Sequence, residues 1–304
     1  MKNIKMGGII PASAVSLGCM RMSGLSEERV DAIMKCAFEH GINHFDHADI
    51  YGGGNSEVLF GQYLKRHPEA RDKMVLQTKC GIRPGQYDFS KEHIVSAVEG
   101  SLSRLGVDYV DALLLHRPDT LMEPEEVAEA FDELYTKGKV RYFGVSNHKP
   151  MQIELLKRYV KQPLHINQLQ FSMTVSNMVA NGLEVNMTSD GAPDYDGSIL
   201  DYSRLHDMTI QAWSPFQMPN WQGCFIDCDK YPKLNEEMKA LAEQYGVSKN
   251  TIATAWILRH PAKMQVVTGT ASEARLAEIM AAEKVDLTRQ EWYHLYLAAG
   301  HILP

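Results

Sequence analysis

Four side chains capable of proton chemistry stand at or just after short apolar runs. Asp46 closes HFD, Lys79 closes VLQTK, His116 closes ALLLH, and Tyr51 lies five residues after Asp46 in DHADIYGGG. A single acid or lysine after a strand is more often a cap or a surface group, but the joint pattern is harder to dismiss. A phenol titrates near pH 10, so donating a proton near neutrality asks for a pKa lowered by about 3–4 kcal/mol worth of interaction. A lysine ammonium about 4 Å away supplies roughly 4 kcal/mol at an effective dielectric of 20. The set therefore reads as a proton donor in which Tyr51 gives the proton, Lys79 lowers its pKa and Asp46 keeps Lys79 charged. His116 orients a carbonyl or shares the proton. Nothing among them moves electrons, so redox chemistry here needs a separate cofactor.

The elements that must position these groups alternate along the chain. Strand-like runs fall around Leu17, at 44–46, 74–79, 110–116, 141–146, 166–170, 209–213 and 264–267. Segments of helical period fill the gaps. Ser26 caps a helix through Val30, Ile33, Ala37 and Phe38 that stops at Gly41, and Ser90 caps another through Ile94, Val98, Leu102 and Leu105 that stops at Gly106. Pro124 suits a first helical turn, and Ser248 opens a helix that must end near Pro261. Eight strands each trailed by helix predict a (β/α)8 TIM barrel, and at this length they need only one domain, residues 1–304. The start, with Gly7-Gly8 at its turn, reads as a β-hairpin plugging the bottom of the barrel. Residues 172–206, rich in turn signals, read as a long loop over the active face.

Composition narrows the function classes. Lys+Arg 31 against Asp+Glu 38 gives a net charge of −7, which disfavours nucleic-acid and anionic-membrane partners, so an anionic ligand must be held locally. No stretch approaches the roughly 18 apolar residues of a membrane span. The five cysteines, odd in number and without an export signal before them, read as reduced thiols of a cytoplasmic protein. Cys224 and Cys228 lack a second ligand pair nearby, so two ordinary cysteines is the better reading than a zinc site. Gly52-x-Gly54 fails as a dinucleotide fingerprint because Glu57 stands where the third glycine belongs. A metal-dependent barrel hydrolase using Asp46, His47, Asp49 and His116 is a rival reading, but it leaves Lys79 and Tyr51 poorly explained, so no metal is expected.

At these residues the chain resembles the aldo-keto reductase superfamily over nearly its whole length. GINHFDHADIYGGGNSEVLFG, from Gly41 to Gly61, is similar to the Asp-x-Ala, Tyr-Gly and Glu-x-x-x-Gly signature of its bacterial-type branch. LQTKC, DALLLHRPD and GKVRYFGVSN follow in the family's order. The resemblance implies that Asp46, Tyr51, Lys79 and His116 are the catalytic tetrad with Tyr51 as general acid. It implies that Ser146, Asn147 and Gln168 hold a nicotinamide carboxamide, that Trp213 stacks on the ring, and that Ser214 approaches the pyrophosphate. In VVTGTASEARLAEI, Gly269, Thr270 and Arg275 meet the adenosine 2′-phosphate and Glu278 the adenine, which favours NADPH over NADH. Two features depart from the family: no Lys or Arg stands at Gly269 or Thr270, and Ile279 replaces the usual Asn. His47 stands where Thr or Ser is commoner. Met20, Arg21, Phe216 and Trp221 are expected pocket walls, with Met218, Leu121 and Met122 as further candidates. The function implied is NADPH-dependent reduction of an aldehyde or ketone. The alternative is an NADPH-binding sensor or regulatory subunit with little turnover.

Overall fold

Residues 3–304 are described by a computed structural model. The chain begins with β1 (Asn3–Met6), β2 (Ile10–Ser13), β3 (Val15–Gly18), α1 (Glu27–Glu39) and β4 (His44–Asp46). Next come α2 (Asn55–Arg66), β5 (Val75–Cys80), β6 (Ile82–Arg83), β7 (Gln86–Tyr87), α3 (Lys91–Leu105) and β8 (Val110–Leu115). The middle holds α4 (Pro124–Thr136), β9 (Val140–Ser146), α5 (Pro150–Lys157), β10 (Leu164–Gln170), α6 (Asn177–Leu183) and α7 (Ile199–Leu205). The chain finishes with β11 (Thr209–Trp213), α8 (Pro232–Tyr245), α9 (Lys249–Leu258), β12 (Gln265–Thr268), α10 (Glu273–Met280) and α11 (Arg289–Ala298).

Local sequence accounts for the helix ends. The hydroxyls of Ser26, Ser90 and Ser248 accept from Arg29 N, His93 N and Thr251 N at 3.4, 3.3 and 3.3 Å, each satisfying a first-turn amide that has no partner within the helix. Gly106 and Gly246 close α3 and α8 in the left-handed conformation. Between helices and strands lies the main core, where Phe131 of α4 stacks on Phe143 of β9 at 4.1 Å and Trp256 of α9 on Trp292 of α11 at 4.7 Å.

Eight parallel strands close into a barrel in the order β3, β4, β5, β8, β9, β10, β11, β12, with β12 returning to β3. Side chains two apart share a strand face, so His44 and Asp46, Gln77 and Lys79, and Gln211 and Trp213 point the same way. That way is inward: Gln211 exchanges amide bonds with Gln77 (2.9 and 3.1 Å) and donates to Gln265 (2.8 Å), which donates to Ser13 O at 2.7 Å. The other half of the interior is apolar, with Ala112, Leu114 and Ile166 packed on Met6, Ile10 and Ala12 of the hairpin.

The β1–β2 hairpin covers the N-terminal end of the strands, as its position under β11 shows. Gly7 N donates to Thr209 Oγ1 at the start of that strand (3.0 Å). Gly7 sits at φ +53°, and a Cβ there would come within 2.4 Å of His165 Nδ1, so both backbone and space require glycine. Residues 172–206 form the long, elaborated segment that the turn signals predict. They contain α6 and α7, because buried Met178, Val179, Ile199 and Leu200 give two short stretches an apolar face to pack. Ser172 and Thr174 hold Gln217 O, and Ser176 bonds His301, which ties the segment to the loop after β11 and to the C-terminal residues. All five cysteines are free. Among the described residues no helix is long and apolar enough to cross a membrane.

Candidate active site

The C-terminal ends of β4, β5 and β8 bring Asp46, Lys79 and His116 to one end of the barrel, and the turn after β4 carries Tyr51 beside them. Lys79 is 0% exposed. Its ammonium lies 2.8 Å from the Asp46 carboxylate, 2.8 Å from His47 O and 3.0 Å from Tyr51 Oη. An ammonium has three donors, and all three are spent here. Asp46 Oδ1 also accepts from Gln77 Nε2 (2.6 Å) and Gln168 Nε2 (3.0 Å), so both carboxylate oxygens are hydrogen-bonded within the protein.

Burial works against the charged forms of both partners, yet Lys79 and its hydrogen bond hold the Asp46 carboxyl below its ordinary range. Burial likewise opposes the Lys79 ammonium, and Asp46 with Tyr51 carries it above. The pair is therefore ionised at neutral pH. Tyr51 departs from the sequence expectation of a lowered pKa. Burial pushes its phenol up, the Lys79 ammonium pulls it down, Asp46 pushes it up again, and the net direction is upward. His116 is held down to about 3, first by burial and then by the Lys79 charge, so its ring is neutral. Its Nδ1 is buried with no partner, and its ring meets Tyr51 edge-on at 6.0 Å.

A buried support lies behind Tyr51. Glu57 of α2 accepts from Thr78 Oγ1 (2.6 Å) and Arg104 Nε (2.8 Å), tying α2 and α3 to β5 beside Lys79. Burial, then Glu57, pushes the Asp49 carboxyl up to about 7. The four residues of the metal reading are not assembled as ligands. Asp46 is taken by Lys79 and the two amides, whereas the His47 ring packs edge-on against Phe60 at 4.6 Å with both nitrogens unpartnered. Burial holds His47 neutral, with its pKa down to about 3.

The residues of the cofactor expectation line the adjoining rim. Ser146 Oγ donates to Gln168 O, and Asn147 Nδ2 donates to Ser146 Oγ at 2.7 Å. Trp213 Nε1 donates to Asn147 Oδ1 at 3.1 Å, which fixes the indole. Asn147 and Ser214 both adopt the left-handed conformation, at φ 60° and 51°, a strain that concentrates at functional sites. Gln168 points its amide nitrogen inward to Asp46 and Gln211 rather than toward the rim. Thr270 Oγ1 accepts from Ser272 N, Ser272 caps α10, and Arg275 follows it exposed to solvent. The Glu278 carboxylate accepts from Asn250 Nδ2 at 2.7 Å, so it is engaged within the protein.

The expected pocket walls separate. Arg21 donates to Gly269 O at 2.8 Å and so bridges the loop after β3 to the segment after β12. Met20 is half exposed and Phe216 half-buried against the core. Trp221 is 64% exposed and stacks on Trp213 at 5.3 Å. Met218 is buried, Met122 half-buried and Leu121 fully at the surface. Sequence reasoning missed Gln77, Gln211 and Gln265, whose shared strand parity with Lys79 and Trp213 was the available signal. It also missed Arg29, whose guanidinium forks onto Glu273 (3.1 and 3.0 Å) and reaches Ala271 O.

With this arrangement in view, the comparisons decide the family: the Aldo/keto reductase family model matches residues 14–296. The chain belongs to the aldo/keto reductase family. Relatives of this aldo/keto reductase include the uncharacterized oxidoreductase YcsN of Bacillus subtilis, 33% identical with all of both chains covered. The 6-dehydroglucose reductase of Agrobacterium fabrum is 33% identical over 98% of each chain. The fold matches a crystal structure of an aldo-keto reductase from Klebsiella pneumoniae in complex with NADPH. Its TM-score is 0.80 at 23% identity, covering 100% of this chain and 96% of that one. Family and relatives make this member an oxidoreductase of the carbonyl-reducing kind.

Proposed function

We propose that this aldo/keto reductase reduces an aldehyde or ketone to an alcohol with NADPH, Tyr51 being the general acid and residues 1–304 working as one unit. The observation that carries the reading is the fully buried Lys79 ammonium bridging Asp46 at 2.8 Å and Tyr51 at 3.0 Å.

The residues present suit the cofactor. Arg275 makes no ion pair among the described residues and stands just inside α10, where unpaired amides favour an anion, a combination suited to a phosphate dianion. Thr268 Oγ1, immediately before Gly269, is buried with no partner. In this reading Gly269, Thr270 and Arg275 hold the 2′-phosphate, Glu278 the adenine and Ser214 the pyrophosphate. Ser146, Asn147 and Gln168 hold the carboxamide beside Trp213. NADPH, when bound, supplies the hydride.

The chain's own groups handle the proton. A substrate carbonyl oxygen accepts a hydrogen bond from the neutral His116 ring and takes the Tyr51 proton as negative charge grows on it. The phenolate left behind is met by the Lys79 ammonium, an attraction worth roughly 5 kcal/mol at 3.0 Å and an effective dielectric of 20. Because that attraction acts only once the charge exists, it favours the transition state over the resting phenol. The raised resting pKa of Tyr51 keeps the proton in place until an alkoxide, a stronger base than phenolate, forms next to it. Asp46 fixes the ammonium and keeps it charged.

Two relatives bearing the name 6-dehydroglucose reductase support a carbonyl substrate. The test is NADPH oxidation over a carbonyl panel. Tyr51→Phe is expected to lower turnover by about 10²–10⁴-fold, the range of general acid catalysis, with cofactor affinity unchanged. Full activity in that variant would remove the assignment. Tight NADPH binding with negligible wild-type turnover across the panel would favour the sensor reading instead.

A further inference from the structure

We propose that Arg117 is a specificity-determining residue that binds a second oxygen-bearing group on the substrate, so that the preferred substrate is a carbonyl compound carrying adjacent hydroxyls or a carboxylate. The inference rests on the carbonyl-reductase reading above.

Arg117 directly follows His116 at the mouth of the barrel, and its charge is felt by the His116 ring. In a chain of net charge −7, an arginine in such a place would ordinarily find a carboxylate. Arg117 has no ion pair or hydrogen bond among the described residues, and its guanidinium carbon lies 5.4 Å from the centre of the Trp213 ring. The nearest acid in sequence, Asp119, is engaged elsewhere: its two oxygens accept from Phe89 N and Leu121 N at 2.9 Å each.

Several arginines elsewhere are paired with acids. Arg29 forks onto Glu273, Arg104 binds Glu57, and Arg71 and Arg141 bind Asp111. Arg158, Arg275 and Arg289 also lack an ion pair among the described residues, but of these unpaired arginines only Arg117 adjoins His116 in the chain. A guanidinium presents donors in one plane, spaced to meet two neighbouring oxygens, and its contact with the indole face orients the plane without consuming those donors. The Trp213 indole is itself anchored to Asn147, so the fork is borne on a fixed platform beside His116. Trp221, stacked on Trp213 and 64% exposed, adds apolar surface at the same mouth.

The measurement is kcat and KM for wild type, Arg117→Met and Arg117→Lys with three small aldehydes: glyceraldehyde with its hydroxyls, glyoxylate with its carboxylate, and propanal with neither. NADPH affinity is read separately by quenching of tryptophan fluorescence. The expected result is a 10–100-fold fall in the kcat/KM ratio of an oxygenated substrate to propanal in Arg117→Met, carried by KM. Arg117→Lys should fall less, and cofactor affinity should be unchanged. Loss confined to glyceraldehyde or to glyoxylate supports the proposal and identifies which oxygens are bound. An equal loss with all three substrates, or weakened NADPH binding, would show that Arg117 only holds Trp213 and would overturn it, as would no loss at all. A wild-type enzyme that binds NADPH yet reduces none of the three strikes the carbonyl-reductase reading itself, which separates the two failures.

Discussion

Lys79 has no donor left over, so each change among its partners is felt by the others. Asp49 shows the opposite condition, a carboxyl with a buried, unpartnered oxygen near Glu57. Its pKa in the folded chain, about 7, exceeds the ordinary value near 3.9 of the unfolded chain. Stability from the protonated form is therefore complete at low pH and is lost as pH rises through that window. Three pK units correspond to roughly 4 kcal/mol, and partial exposure of the group reduces this to about 2. Asp49→Asn is expected to stabilise the protein by that amount at pH 8 and to be nearly neutral at pH 4, as read from urea midpoints. Equal effects at both pH values would exclude ionisation as the cause. Asp46, Lys79 and His116 were legible in the sequence because each polar group ends an apolar run. The direction of the Tyr51 pKa was not, since it depends on how many atoms of distant elements crowd the phenol. Gln77, Gln211 and Gln265 escaped because an isolated glutamine in a strand reads as a solvent-facing residue until the strand is rolled into a barrel.

Among the elements, α2 tolerates little change where it approaches α3 at Gly61. A Cβ on Gly61 would lie 2.3 Å from Arg104 O and 2.9 Å from Leu105 C, both backbone atoms that cannot swing aside. Gly61→Ala is expected to destabilise the protein by about 1–3 kcal/mol, the cost of overpacking, despite alanine's better helix propensity. It should also lower kcat, since Glu57 on the same helix supports Thr78 next to Lys79. Urea unfolding and steady-state kinetics check both, and a stabilised variant would refute the close-approach argument. Element boundaries were largely legible, because Ser26, Ser90, Ser248, Gly106 and Gly246 carry their cap chemistry locally. The two short helices inside residues 172–206 were not. Their turn residues dominate the sequence, and the buried faces of Met178 and Ile199 acquire meaning only against neighbours.

For the molecule as a whole, buried histidines set the acid limit. Burial depresses His44 to about 4, His47 to about 3, His116 to about 3 and His148 to about 4. The unfolded chain protonates near 6.5, so these groups bind protons only on unfolding until pH nears their folded values. The histidines' contribution to stability is full above about pH 6.5 and falls as pH drops below it, by up to roughly 1.4 kcal/mol per histidine per pH unit. Asp49 offsets part of one such loss. The urea midpoint should drop steeply between pH 7 and pH 5, and a flat profile would mean that these rings are not kept neutral by the fold.

The floor beneath the site has a bearing on proton traffic. The hairpin seals the N-terminal end with Met6, and above it lie amide-to-amide contacts from Gln265 through Gln211 to Gln77. An amide N–H is not an acid, so this stack can hold Asp46 still but cannot relay a proton to it. In the mechanism proposed above, Tyr51 would therefore regain its proton from the side on which the substrate enters. The glutamine stack is thus a support for Asp46 and a dead end for protons.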